Sequence, residues 1–400
     1  MRFAAPHPMV RQTPCLPALV LLLHLATTSA LAQQPLPRWS LGDPAGRFGG
    51  ERHSDAALSG IQHVTIGKDH AVYVADATAP LRLFEPDGRL TRAFGQSGQR
   101  SGEFVLISAI GWLGDTLWVI DDALRRATYF EPNGRLLTSS RVSVAGAQGV
   151  SPPAVPFALL TNGSAVTLLR PYPGTGTPGS RPRAPIVRST RRGSPVDTFA
   201  TIAIDETVLQ GRDRIARPLP QPFSDAALVV AAPDGEGIIV VERPAPTAPG
   251  VARYRVVRYT ADGRRTFATD HSYIAEPLPR ALVDSVRSEL VLRQARGFGG
   301  PSVADSVVRA ALNAPAFVPP VTEVIAGRDG SIWLLRAATS PSPGTPPTYD
   351  VLDPSGLRVA TLPLPRPGRI VAAELRSVWV AESGDQNLMY IIRYPVVARP

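Results

Sequence analysis

Cysteine is all but missing from this chain: Cys15 is the only one in 400 residues. It precedes the apolar stretch of residues 16–26, whereas a lipid-modified cysteine would have to follow it. A chain that loses this leader has no thiol at all, which excludes disulfides and thiolate metal sites. Lysine is equally scarce, since Lys68 stands alone among 42 basic residues and the rest are arginine. That bias reads as genomic composition rather than as a nucleic-acid signature. Aromatics make up 6% and charged residues 19%. No apolar run reaches the roughly 20 residues that a membrane-spanning helix needs.

What is abundant points the other way. Hydrophobic residues make up 44% of the chain, enough for a sizeable core, so wholesale disorder is excluded. Pro (42) and Gly (34) favour many turns and few long helices. The formal charge is +9. Arg2 and Arg11, an apolar stretch broken by Pro17 and His24, and Ala30-Leu31-Ala32 form a secretory leader with cleavage expected after Ala32. The expected organisation is therefore a signal peptide over 1–32 and one domain over 33–400, secreted or periplasmic.

Two segments repeat at an offset of about 45 residues, close to the usual length of a propeller blade. Val72-Tyr73-Val74-Ala75-Asp76 leads to Phe84-Glu85-Pro86-Asp87-Gly88-Arg89-Leu90. Leu117-Trp118-Val119-Ile120-Asp121 leads to Phe130-Glu131-Pro132-Asn133-Gly134-Arg135-Leu136. Weaker copies run from Ile238 to Gly263 and from Ile332 to Gly356. Each is a β-branched and aromatic strand followed by a turn in which proline presets φ and glycine accepts a positive one. About four short strands per unit make a blade.

Second strands starting near Val72, Leu117, Ala165, Ile238, Ile332 and Val378 give six blades. The fold expected is all-β, a six-bladed β-propeller with a short helical insertion between blades four and five. That insertion spans 278–318 and carries two helical stretches. Leu282, Val283, Val286 and Leu290 share a face of the first, and Ser302 caps the second. Residues 171–185 read as a hairpin tip, and 206–224 as a second long connection. The last blade is one strand short. The stretch near 37–42, with Trp39 and Leu41, is expected to close the ring and cover its open edge.

Phe84 to Gly88, then Phe94-Gly95-Gln96-Ser97-Gly98 and Gly102-Glu103-Phe104, resemble the NHL-repeat class of six-bladed propellers. In that class such a stretch links the outer strand of one blade to the inner strand of the next. The late helical insertion resembles that of secreted bacterial propellers with no assigned activity. The resemblance implies a fold far more than a function. Related propellers include lactonases, which hold a divalent ion with inner-strand carboxylates and Asn, and a lyase that needs several channel histidines. Glu323 and His63 are the only residues matching either pattern, so neither set carries over.

Three residues stand out as a candidate ligand site. Aligning the turns Gly67-Lys68-Asp69 and Gly327-Arg328-Asp329 sets His63 against Glu323. Aligning Trp379 with Tyr73 brings Arg369 near the same layer. Innermost strands line the channel of a propeller, so these side chains are expected at one channel mouth, either binding a ligand or forming a structural ion pair. The carboxylates Asp76, Asp121, Glu242 and Glu382 recur at the ends of second strands and are expected to accept turn hydrogen bonds. No local metal motif is present, and no cofactor is expected. Gly174-x-Gly176-x-x-Gly179 is flanked by prolines that forbid the helix a dinucleotide site requires. Asn162-Gly163-Ser164 is a glycosylation sequon by rule and is given little weight. The pairs Arg125-Arg126, Arg191-Arg192 and Arg264-Arg265 are scattered and not interleaved with aromatics. Nucleic acid is thus disfavoured, and an acidic polysaccharide suits a basic exported protein better.

The functional expectation is an exported, monomeric, non-catalytic binding scaffold for a protein, peptide or polysaccharide. A metal-dependent, lactonase-like hydrolase or a lyase at the channel mouth is the second reading.

Overall fold

The computed structural model describes residues 36–51, 53–76, 81–142, 154–171, 181–205, 209–210, 215–216, 221–297, 312–338, 346–385 and 388–398. The expected leader, nearly all of the expected second helical stretch and the Gly174–Gly179 string lie outside these residues. So does most of the 171–185 tip.

Strands begin at β1 (Ser40–Leu41) and β2 (Gly46–Phe48). The first complete sheet follows, with β3 (Ile61–Ile66), β4 (Val72–Asp76), β5 (Leu81–Phe84) and β6 (Leu90–Phe94). The next holds β7 (Ile107–Leu113), β8 (Thr116–Asp121), β9 (Arg126–Phe130) and β10 (Leu136–Arg141). A third holds β11 (Ala158–Leu159), β12 (Ser164–Leu168), β13 (Arg183–Thr190) and β14 (Pro195–Ala203). A two-strand pair, β15 (Leu209–Gln210) and β16 (Ile215–Ala216), precedes β17 (Leu228–Ala231), β18 (Gly237–Glu242), β19 (Gly250–Thr260) and β20 (Arg265–Ala275). After helix α1 (Arg280–Gly297) come β21 (Val321–Ala326), β22 (Ile332–Arg336), β23 (Thr348–Leu352) and β24 (Arg358–Pro363). The last sheet has β25 (Arg369–Glu374), β26 (Ser377–Ser383) and β27 (Met389–Val397).

Each sheet is an antiparallel meander, and together they form a six-bladed β-propeller. β27 is paired on its outer side by two short pieces: β1 through Ser40↔Val397 and Leu41↔Val396, and β2 through Gly46↔Arg393 and Phe48↔Ile391. Just upstream, Arg38 bridges Thr361 of β24 in parallel. The N-terminal segment thus straps two adjacent blades together. Because the chain starts in the closing sheet, blades are numbered here from that sheet as blade one. In that order α1 lies between blades five and six, not between four and five as the repeat numbering had it. It is the one helix among the described residues. The hairpin tip is also shorter than read, because β13 already begins at Arg183 and takes Pro185 into the sheet, opposite Thr201.

The core consists of clusters between blades. Tyr73, Leu83 and Phe94 pack with Trp112, Leu117 and Phe130 between blades two and three. Phe48, Val74 and Phe84 pack with Trp379 and Ile391 across the closure. The repeated bulky residues of the second strands supply this packing. At the ends of β4 and β8, Asp76 and Asp121 are buried and accept backbone N–H groups, from Ser59 and Gly60 and from Val105, Leu106 and Leu124 respectively. The recurring carboxylate therefore ties a second strand to the connection entering its own blade. Glu382 instead takes the Tyr394 hydroxyl at 2.8 Å.

The two faces differ. Turns between first and second and between third and fourth strands are tight, as in Gly88 N–H to Glu85 O and Gly330 N–H to Gly327 O. Gly88 has φ +94° and a Cβ there would collide with the Arg47 carbonyl, so no other residue fits. The long connections β12–β13, β14–β17, β20–β21 and β22–β23 all open on the other face, where the innermost strands begin. There α1 buries Val283 and Leu290 against Phe223 and Leu312, a small core outside the ring.

Candidate functional site

His63, Glu323 and Arg369 all line one cavity of about 380 Å³ on the propeller axis. Register explains why. His63 pairs with Ala75, Glu323 with Leu335 and Arg369 with Ala381, and each partner lies two residues after the aromatic Tyr73, Trp333 or Trp379. The three residues therefore occupy one layer on β3, β21 and β25, whose strands touch one another around the ring. That layer lies at the mouth carrying the long connections. Each of these three strands has a register shift here, between Ile61 and His63, Val321 and Glu323, and Ile370 and Ala372. Such bulges re-aim side chains.

Arg369 Nη1 donates to Glu323 Oε1 at 3.2 Å. Their side chains are 49% and 28% exposed, so the guanidinium keeps donors facing solvent while the carboxylate is drawn inward. Burial pushes the Glu323 carboxyl above the usual carboxylate range, and Arg369 opposes that rise. The Tyr349 hydroxyl accepts the Ile370 N–H at 3.1 Å and fixes the backbone beside Arg369. His63 sits below its ordinary value, chiefly through burial, with Arg369 adding to the effect; its ring is hydrogen-bonded to the Ile107 backbone, which acts the other way. An imidazole, a carboxyl and a half-free guanidinium thus share one mouth.

Sequence reasoning missed the rest of the wall. Phe157 and residues 229–232 make one side apolar, Ser108 adds a hydroxyl-bearing residue at the mouth, and Thr65 and Trp118 lie deeper. No motif marks these residues, because the ring brings them together from separate blades. Among the described residues no three His, Cys, Asp or Glu side chains converge in a metal-holding group.

The other flagged residues fall elsewhere. The Asn162 amide donates to the Ala261 carbonyl and its oxygen accepts from Ser164, so it serves a turn. Arg126 holds the Gln99 and Glu103 carbonyls, and Arg191 lies 5.9 Å above the Tyr129 ring. A larger, open groove of about 770 Å³ borders the closure, lined by Arg47, Arg366, Glu382 and Tyr390 among others. Arg47 is already stacked 3.8 Å over Tyr390.

No family model matches this chain, and no curated protein matches it. Among solved structures it is similar to a member of the DUF4221 family from Bacteroides vulgatus, with a TM-score of 0.50 and 6% identity over 92% of this chain and 100% of that one. It is also similar to a protein described as exported from Bacteroides fragilis, at TM-score 0.46 and 10% identity, covering 92% of this chain and 100% of that one. A third is regucalcin, a calcium-binding protein from Agrobacterium tumefaciens, at TM-score 0.39 and 11% identity over 91% and 98% of the two chains. At these identities the likeness is one of fold alone. Among the described residues no helix is long and apolar enough to cross a membrane.

Proposed function

We propose that this chain is an exported, non-catalytic binding propeller that takes an acidic polysaccharide at the channel mouth formed by His63, Glu323 and Arg369. The observation that carries the reading is Arg369: one N–H group is spent on Glu323, and the side chain stays half exposed at the opening of a cavity. An arginine so placed favours a carboxylate ligand, because its remaining N–H groups form a planar fork. The net positive charge of the chain adds attraction for a polyanion. Export rests on the leader ending at Ala32. The NHL-type reading of the repeat is supported by the Phe94–Phe104 linker, where Gly95 packs under Phe104 and Gly98 N–H bonds its carbonyl.

Polygalacturonate is a suitable probe. Calorimetry should show binding by the mature chain that weakens at least tenfold in Arg369→Gln, with no binding of dextran and no release of reducing ends. Equal binding by both proteins, or none by either, removes the reading. Turnover of the polymer moves it to the hydrolase or lyase class.

A further inference from the structure

Two residues of the channel wall each carry a buried polar atom with no partner within the protein. Thr65 is 3% exposed and Trp118 2% exposed, yet Thr65 Oγ1 and Trp118 Nε1 make no hydrogen bond. Among the described residues, these are the only such atoms whose residues also line the axial cavity. Buried polar groups are nearly always satisfied, and one that is not calls for a water, ion or ligand.

Second-strand aromatics at the equivalent position differ in this respect: Trp379 Nε1 of blade one is unpartnered too, but Trp379 does not line the axial cavity. At the equivalent position of blade two, the Tyr73 hydroxyl donates to the Pro132 carbonyl at 2.6 Å. In blade six, Trp333 Nε1 donates to Ser331 Oγ at 3.0 Å. Trp118 has Gly111 as its partner across the ladder. A Cβ at 111 would lie 2.5 Å from Cζ2 and 2.9 Å from Cε2 of the indole, so only glycine lets the ring lie over the innermost strand. Thr65 pairs with Tyr73 as Gly111 pairs with Trp118, which puts both residues in one layer of neighbouring blades whose innermost strands, β3 and β7, touch. That layer is two residues deeper than His63, or about 7 Å at the rise of a strand.

We propose that the channel receives the terminal uronate of an acidic polysaccharide, its carboxylate on Arg369 and its uncharged oxygens on Trp118 Nε1 and Thr65 Oγ1. The inference rests on the channel-mouth reading and adds the unit recognised. Arginine selects the charged group, whereas the two deeper groups are neutral, and the indole N–H can only donate. They suit hydroxyl or ring oxygens, not a second carboxylate. Phe157 and Val229 offer an apolar surface for the C–H face of a sugar. A cavity of 380 Å³ is near the lower end of the range of about 300–1,000 Å³ typical of small-ligand sites, which suits a chain end and not a polymer running through.

The test uses the mature full-length chain with digalacturonate and adipate as probes. Digalacturonate should bind, displace polygalacturonate competitively and change tryptophan emission; adipate should bind at least tenfold more weakly. Thr65→Val should weaken digalacturonate at least fivefold while leaving the melting temperature unchanged or raised, because the hydroxyl it removes has no partner to lose. Trp118→Phe should weaken it similarly. Polygalacturonate binding that needs Arg369 but ignores digalacturonate, Thr65→Val and Trp118→Phe overturns end recognition and leaves the channel-mouth reading standing. Adipate binding as well as digalacturonate overturns the sugar assignment. Polymer binding that ignores Arg369→Gln overturns both.

Discussion

Phe48→Ala should do more damage than its place near the chain start suggests. Phe48 is fully buried, meets Phe84 edge-on at 6.2 Å between ring centres, and packs with Leu58, Trp379 and Ile391. It is also the last residue of β2, which with β1 supplies the outer strand of the closing blade. Truncating a buried phenylalanine costs about 3–5 kcal/mol, a large share of a typical total of roughly 5–15. At about 2.1 cal/mol/K of unfolding entropy per residue, a domain running from Leu36 to Pro400 shifts by about 1.3 °C per kcal/mol, so the melting temperature should fall by about 4–7 °C. A second effect follows from topology. With its anchor gone, the strap can peel from β27 and expose a nine-residue edge strand to pairing with other molecules. Differential scanning calorimetry combined with light scattering should show earlier melting and earlier aggregation. Val251→Ala, at a residue 76% exposed, is the control and should change neither. Melting of Phe48→Ala within about 1 °C of the parent would refute closure by this strap; a shift of that size belongs to a change under about 1 kcal/mol.

Acid should destabilise the protein through His271. That ring is buried against Tyr254, and burial lowers it from 6.5 to about 4. The unfolded chain takes up this proton first as pH falls, so stability is lost from about 6.5 down to about 4 and then levels; the full span is worth roughly 3 kcal/mol. In His271→Phe the drop over that window should shrink, and an unchanged slope in urea titrations would refute the assignment. Replacing residues 280–315 with a short Gly/Ser linker should leave a folded β-rich protein, because Pro277 and Phe317 already bridge and α1 packs in its own cluster. Loss of the β-sheet circular dichroism would show that the ring needs the insertion. Arg243→Met should cost about 1–3 kcal/mol for each carbonyl it leaves unpaired, since the buried guanidinium donates to Ala226 and Val321 at the starts of two neighbouring innermost strands. Melting equal to the parent would count against that clasp. N-terminal sequencing of the exported product should begin at Gln33, and a retained Met1 or a lipidated Cys15 would overturn the leader.

Much of this molecule could be read along the chain because its information is local and repeated. Turn chemistry at Glu85–Gly88 and Glu131–Gly134, bulky second strands and a spacing near 45 residues specify a blade without reference to any other. Even the layer shared by His63, Glu323 and Arg369 followed from aligning repeats, since antiparallel register is set by the turns. Ring closure was visible as a missing strand, yet its division into β1 and β2, and the bridge from Arg38 to Thr361, depended on edges presented by blades more than 300 residues away. The inner wall of the channel lay beyond sequence altogether. Trp118 can lie over the innermost strand because residue 111 there is glycine, and it joins Thr65, whose hydroxyl has no partner, on the cavity wall. Repeats dictate what each blade is; six blades closing on one axis decide which side chains share a cavity, because that proximity arises from packing between blades and has no counterpart in the order of residues.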